Sequence, residues 1–165
     1  MYAPAEAHDY FSALAAGRFE LHLQAAGDLG RRMADFCQHH LGTGNSRVVL
    51  VGADSPTLPL DFIEQAFRAL HSADVVLGPA MDGGYYLVGL TGELPPIFDG
   101  IRWGEATVLA DTLSKLADPA WRLALLPPWY DVDTLADWRL LQGHMRAMRR
   151  AGIDPGLPRT EAIEA

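Results

Sequence analysis

The run of residues 47–52, RVVLVG, constrains the fold most, because it is uninterruptedly apolar after its first residue and rich in β-branched side chains. A short run of this kind is typical of a β-strand. Since it does not alternate with polar residues, it predicts a strand buried on both faces, as in a parallel sheet. A helical pattern over 59–71 and a second apolar run over 74–79 follow it. Strands that alternate with helices predict an α/β fold.

The remaining elements extend this alternation. Apolar spacing predicts further helices over 5–16, 29–41, 104–116 and 133–151, and further strands over 19–24, 85–90 and 121–126. No helix separates the strands at 74–79 and 85–90, so we expect a mixed, mostly parallel sheet flanked by helices. Residues 1–151 are predicted to form one domain. Residues 152–165 carry Gly and Pro without an apolar period, and we expect a flexible tail.

Composition excludes several classes of protein. The chain has 165 residues, 49% hydrophobic and 21% charged, which is typical of a globular protein. Its net charge of −8 argues against a nucleic acid as partner. Cys37 is the single cysteine and lies in an apolar helical pattern, so we expect a buried structural thiol and no internal disulfide. No stretch reads as a secretory signal or a membrane span, and we predict a cytoplasmic protein.

Asp54 is the first candidate site residue, because it follows the strand 47–52 almost at once. In open α/β sheets, ligands bind beyond the carboxyl ends of the strands. The alternative is that Asp54 only stabilises the turn after the strand.

Asp131 and Asp133 form the second candidate, since they are separated by one residue in the segment YDVDT. In an extended segment both carboxylates point to the same side and repel each other unless a cation lies between them. Mg²⁺ prefers such oxygen ligands. Asp133 also precedes a predicted long helix, so an N-cap role is the alternative for it.

Two further segments offer candidates with ordinary structural alternatives. Asp82 and Gly83 lie between two predicted strands and indicate a hairpin, although the glycines would also let a ligand approach the backbone closely. Tyr85 would then supply a hydrogen bond or a stacking face. Trp103, before a predicted helix, is suited either to an acceptor pocket or to the core.

Together, the segments QAAGDLGRRM, VVLVGADSPTLP, ADVVLGPAMDGGYYLVGL, IRW and LLPPWYDVDTLADW resemble a bacterial family of glycosyltransferase-A-type, nucleotide-diphospho-sugar transferase-like proteins. This family is similar to the nucleotidyltransferases of molybdenum-cofactor and deazaflavin-cofactor synthesis. The resemblance covers nearly everything from Tyr2 to about Leu141. It implies a mixed sheet flanked by helices and a Mg²⁺ or Mn²⁺ ion that bridges a nucleotide diphosphate.

The resemblance also implies roles for particular residues. It implies metal binding by Asp54, Asp131 and Asp133. It implies nucleotide binding by Gly27 and Asp28. It implies substrate binding by Asp82, Gly83, Gly84 and Tyr85, while the substrate-binding role of Trp103 rests on its position before a predicted helix. The sequence does not identify a general base, and the catalytic residues stay open.

One departure from the family concerns its amino-terminal part. Family members usually begin with a strand, a basic glycine-containing loop and a helix, and here the resemblance starts within their second strand. We therefore expect an N-terminally shortened form of the fold, with an apolar strand edge beside residues 47–52 or a partner that completes the sheet.

The function implied by the resemblance is that of a metal-dependent glycosyltransferase that uses a nucleotide-sugar donor and a small-molecule acceptor. A nucleotidyltransferase, which takes a nucleoside triphosphate and releases pyrophosphate, is the first alternative. A non-catalytic binding module is the second. Self-association is left open.

Overall fold

The computed structural model describes residues 1–44 and 46–161. A short 3₁₀ turn, Ala5–Ala7, leads into the first helix, and the elements then follow in chain order: α1 His8–Ala15, α2 Leu29–Gly42, β1 Arg47–Val51, α3 Leu60–Ala69, β2 Val75–Pro79, β3 Tyr85–Thr91, α4 Val108–Lys115, β4 Leu123–Leu125, α5 Leu135–Arg150 and α6 Pro158–Glu161. The predicted α/β class is confirmed. α6 falls within the segment predicted as a flexible tail, which otherwise stays a prediction, and residues 162–165 of that segment lie outside the described ranges.

The four strands form one mixed sheet in the order β1-β3-β2-β4. β3 is antiparallel to both of its neighbours, and only the β2–β4 pair is parallel. The sheet is therefore mixed as predicted, but it is not mostly parallel. The error arises because the hairpin from β2 to β3 puts a strand of opposite direction into the centre of the sheet.

β1 differs from its prediction as a doubly buried strand. In the described part of the chain it pairs on one side only, with β3. Val48 is buried, whereas Val51 is 40% exposed. The apolar run correctly predicts a strand, but composition alone does not distinguish an edge strand from a central one.

The predicted strand at 19–24 is wrong as an extended element. Within the described residues, its only ladder contact is an isolated parallel bridge between Tyr2 and Leu23. Tyr2 N donates to His22 O at 2.9 Å, and Gln24 N donates to Tyr2 O at 2.9 Å. A ladder needs a partner strand along its length, and here one residue, Tyr2, provides the partner.

The core lies on both faces of the sheet. On one face, α2 contributes Met33 and Cys37, which pack against Val75 and Leu77 of β2. On the other face, α3 packs against Val76. The alternation along β2 explains how one strand serves both clusters.

Cys37 lies in this core as predicted. It is free and 1% exposed. Burial raises the pKa of its thiol to about 12, so the thiol is protonated at neutral pH and acts as a small apolar side chain.

The described helices are all too short or too polar to cross a membrane.

Candidate functional site

Strand directions bring three loops to the same end of the sheet. β1 and β2 are both antiparallel to β3, and β4 is parallel to β2, so the carboxyl ends of β1, β2 and β4 coincide. Asp54 follows β1 and Asp82 follows β2. Asp131 and Asp133 follow β4. We call this the acidic end of the sheet.

Backbone hydrogen bonds join the three loops. Val132 N donates to Asp54 O at 3.0 Å, which links the loop after β4 to the loop after β1. Trp129 N donates to Pro79 O at 3.0 Å, and Met81 N donates to Trp129 O at 3.1 Å. The segment 129–134 is therefore attached to the loops that carry Asp54 and Asp82.

The electrostatics of Asp131 place three other carboxylates near it. Asp131 is half-buried, whereas Asp54, Asp82 and Asp133 are exposed. Burial is the main cause that raises the pKa of Asp131, and the negative charges of Asp82, Asp133 and Asp54 add to it. Two of these neighbours lie far from Asp131 in the sequence, so the fold has assembled a cluster that the chain order does not reveal.

The ion pairs found among residues 1–44 and 46–161 do not involve this cluster. Ion pairs elsewhere in the described residues engage other acids, among them Asp35, Asp61, Asp74 and Asp111. None of those pairs includes Asp54, Asp82, Asp131 or Asp133. Like charges that gather without a cation raise the free energy of the fold, and they persist where another requirement offsets that cost.

The N-cap interpretation of Asp133 is wrong. α5 is capped by Thr134, whose hydroxyl accepts from Asp137 N while the Asp137 carboxylate accepts from Thr134 N, a capping box. Asp133 contributes only its backbone N–H, which donates to Asp137 Oδ2 at 3.3 Å. The Asp133 carboxylate is thus not used by the helix cap.

The donor set at the acidic end suits a hard divalent cation only if a substrate completes the coordination. In residues 1–44 and 46–161, no three His, Cys, Asp or Glu side chains approach closely enough to hold a metal ion alone. Mg²⁺ is commonly bound by one or two carboxylates, with water and substrate phosphates supplying the rest. Carboxylates that are close enough to repel, in a group without basic partners, fit that type of site.

The Asp82–Gly83–Gly84 turn is the predicted hairpin between β2 and β3. Asp82 Oδ1 accepts from Gly84 N at 2.7 Å and stabilises the turn. Gly83 has φ of +95°, and a Cβ there would lie 2.1 Å from Ala106 O. Leu109 N also donates to Gly83 O at 2.9 Å. The close approach that needs glycine at position 83 is therefore to the segment before α4, whereas Asp82 remains exposed towards the other carboxylates.

Tyr85 and Trp103 are both packed against the α2 face of the core. Their rings meet edge to face with centroids 6.2 Å apart. Trp103 fits so closely to α2 that a Cβ on Gly30 would lie 2.6 Å from Trp103 Nε1. α4 begins only at Val108, so Trp103 does not stand at the entrance of that helix. The core alternative accounts for these contacts, and the predicted substrate contacts of both residues stay predictions.

Gly27 and Asp28 precede α2. Asp28 caps this helix by accepting from Arg31 N at 2.8 Å. Gly27 has φ of +114°, and its carbonyl accepts from Arg32 Nε at 3.0 Å. These contacts explain both residues as part of a helix start, and their predicted nucleotide contact is not tested by them.

Three residues at the acidic end were not predicted from the sequence. Tyr130 OH lies 2.7 Å from Thr57 Oγ1 and 2.7 Å from His144 Nδ1. They come from the loop after β1, the loop after β4 and α5. His144 lies about two helical turns beyond the capping box, and no spacing rule connects it with Thr57.

Comparison with known proteins identifies relatives of the chain. The sequence profile of a family described as "Uncharacterized protein conserved in bacteria (DUF2064)" matches residues 1–105. A crystal structure from Desulfovibrio desulfuricans G20, described provisionally as a nucleotide-diphospho-sugar transferase, superposes with a TM-score of 0.83 and 36% sequence identity. The match covers 91% of this chain and 67% of that one. No protein with a curated description matches the chain.

Proposed function

The chain belongs to the bacterial DUF2064 family of nucleotide-diphospho-sugar transferase-like proteins, and from this premise we propose that it is a metal-dependent transferase that uses a nucleotide-sugar donor. The observation that carries the proposal is the group of four carboxylates at the acidic end. The negative charges of Asp54, Asp82 and Asp133 act on Asp131, and the ion pairs of the described residues that engage Asp35, Asp61, Asp74 and Asp111 leave these four aspartates out.

In this proposal Asp54, Asp131 and Asp133 hold a Mg²⁺ or Mn²⁺ ion together with the phosphates of the donor. The ion, when bound, neutralises charge on the diphosphate leaving group. Asp131 provides a half-buried oxygen whose partial desolvation strengthens its attraction to a cation.

The chain's own contribution is positioning. The bond from Val132 N to Asp54 O fixes the spacing of the two loops before any ligand arrives. The capping box at Thr134 and Asp137 holds the start of α5 and leaves Asp133 to face the cluster. Groups that are held in place lose little conformational entropy on binding, so more of the contact energy is retained.

The first test is thermal unfolding of the full chain with Mn²⁺ and each of a set of nucleotide-sugars. A ligand present at 100 times its dissociation constant stabilises a fold by about 2.7 kcal/mol. We expect a metal-dependent stabilisation with one nucleotide-sugar, and we expect Asp54→Ala and Asp131→Ala to abolish it. Glu93→Gln is the matched control, because this exposed acid follows β3 at the opposite end of the sheet.

Other results would redirect the proposal. Metal-dependent stabilisation by a nucleoside triphosphate, with pyrophosphate released in the presence of a phosphorylated acceptor, would make the chain a nucleotidyltransferase. Cooperative unfolding that no nucleotide and no metal shifts would contradict an enzyme with this site and favour a binding module.

A further inference from the structure

We propose that Thr57, Tyr130 and His144 form a positioning network that holds Asp131 beside Asp54. The inference rests on the proposed function, since it assigns a task within the same site. None of the three side chains is proposed to touch the metal or the substrate. Their task is to fix the backbone that carries a ligand.

The network centres on the hydroxyl of Tyr130. It lies 2.7 Å from Thr57 Oγ1 and 2.7 Å from His144 Nδ1. A phenol has one proton to donate and lone pairs that accept, so it can bond to both neighbours at once. Thr57 is 7% exposed, and Tyr130 and His144 are half-buried, so water competes weakly for these bonds.

Asp131 is held on both sides by the same loop. Before it, Tyr130 is tied to Thr57 through the side chains. After it, Val132 N donates to Asp54 O at 3.0 Å. These two attachments therefore restrain the backbone on both sides of Asp131 relative to the loop that carries Asp54.

Ring packing sets the direction of the Tyr130 side chain independently of its hydroxyl. Trp129 stacks on Tyr130 with centroids 5.6 Å apart and an interplanar angle of 24°. Trp129 also meets Phe62 of α3 edge to face at 5.5 Å. A phenylalanine at position 130 should keep these contacts, so Tyr130→Phe removes the network and leaves the packing.

Mutation of residues that orient metal ligands typically costs 10–100-fold in metal affinity. A hydrogen bond that serves only the fold would instead change stability and leave the affinity of the folded protein unchanged. The two roles are separated by measuring Mn²⁺ affinity and the free energy of unfolding on the same variants.

The experiment titrates Mn²⁺, up to the millimolar range, into the chain and its variants in the presence of the nucleotide-sugar that stabilises the chain in the thermal test, because the carboxylates need substrate phosphates to complete the coordination. Denaturant unfolding is measured in parallel. We expect Tyr130→Phe and His144→Leu to raise the dissociation constant by roughly tenfold or more. His144→Asn can place a polar atom near the position of Nδ1 and should stay within about threefold of wild type. Thr91→Val is the control, because it removes a side-chain hydrogen bond, from Thr91 Oγ1 to Ser46 O at 2.6 Å, at the opposite end of the sheet.

Each outcome decides between the two proposals. Unchanged Mn²⁺ affinity in Tyr130→Phe would overturn the network while Asp131→Ala still abolishes binding. An equal loss of affinity in Thr91→Val would also overturn it, since the effect would then follow general stability. If Asp131→Ala retains Mn²⁺, or if the wild type binds none, the metal site of the proposed function fails and the network fails with it.

Discussion

The two ends of the sheet place their aspartates in opposite electrostatic environments. At the amino end of β2, Asp74 accepts three hydrogen bonds from Arg122, from its backbone N at 2.9 Å, its Nε at 3.0 Å and its Nη2 at 2.7 Å. These bonds lower the pKa of Asp74 to about 2. At the acidic end, burial and three neighbouring carboxylates raise the pKa of Asp131. We call the Asp74 side the paired end.

The difference shows that the fold pairs its aspartate with a basic residue at one end of the sheet and leaves aspartates near one another at the other end. At the paired end, the hydrogen bonds between Asp74 and Arg122 connect β2 to the segment before β4. The charge of Asp74 is neutralised there without a ligand. At the acidic end, like charges lie near one another. Backbone hydrogen bonds and the hydrogen bonds of Tyr130 hold the loops that carry them. A cation bound at the acidic end would neutralise its carboxylates as Arg122 neutralises Asp74.

The largest effect is expected from a methyl group added at the turn of the acidic end. Gly83→Ala would put a Cβ 2.1 Å from Ala106 O at φ of +95°. Both the left-handed backbone and the clash oppose it, and we expect a loss of roughly 3 kcal/mol in the free energy of unfolding. Urea denaturation measures it.

Gly92→Ala is the matched control at the paired end. It has φ of +70°, and a Cβ there meets nothing within 4 Å. The backbone strain alone should cost about 1 kcal/mol. Equal losses in the two variants would mean that the contact with Ala106 is not what requires glycine at position 83.

The second expected effect is on acid stability at the paired end. Because the pKa of Asp74 is lowered from 3.8 to about 2, its ion pair stabilises the fold above pH 3.8 and is lost as the pH falls through about 2. Asp74→Asn should therefore lower the free energy of unfolding at neutral pH and make it fall less steeply between these two values. Denaturant unfolding at several pH values measures both changes.

Asp99→Asn controls for the removal of an exposed acid, since no described ion pair includes Asp99. A steep acid dependence retained in Asp74→Asn would show that other carboxylates, such as Asp61 beside Arg68, dominate acid unfolding.

Strands were predictable where burial alone determines them. β2 is buried from Val75 to Gly78, and its apolar run located it to within one residue. The segment 19–24 alternates as a strand should, yet Phe19 is 67% and Leu23 53% exposed. Alternation of apolar and polar residues indicates that one face of a strand could be buried. A strand also needs a partner strand for its backbone hydrogen bonds, and the local sequence does not show whether one is present.

Site residues were predictable only where they follow a predicted strand or lie next to another carboxylate in the sequence. Asp54 was found because it follows an apolar strand, and Asp131 was found because one residue separates it from Asp133. Their approach depends on the directions of β1 and β4, which the hairpin at β3 determines. Tyr130 and His144 were missed because their contact depends on how α5 is rotated against the loop, and no residue spacing encodes that rotation.

The smallest expected effect is that of Asp131→Asn on the free energy of unfolding, and its sign should be opposite to that of Asp74→Asn. Asp131→Asn keeps the side chain's size and an acceptor oxygen but removes its charge from the cluster. Relief of repulsion with Asp54, Asp82 and Asp133 should raise the free energy of unfolding by on the order of 0.5 kcal/mol in the presence of a chelator. The same variant should lose the stabilisation by Mn²⁺, whereas Asp74→Asn should lose stability and keep the response to Mn²⁺. A chelated Asp131→Asn that is less stable than wild type would mean that the charge at position 131 has a partner within the chain, and the contrast between the two ends would then no longer indicate a site for a cation.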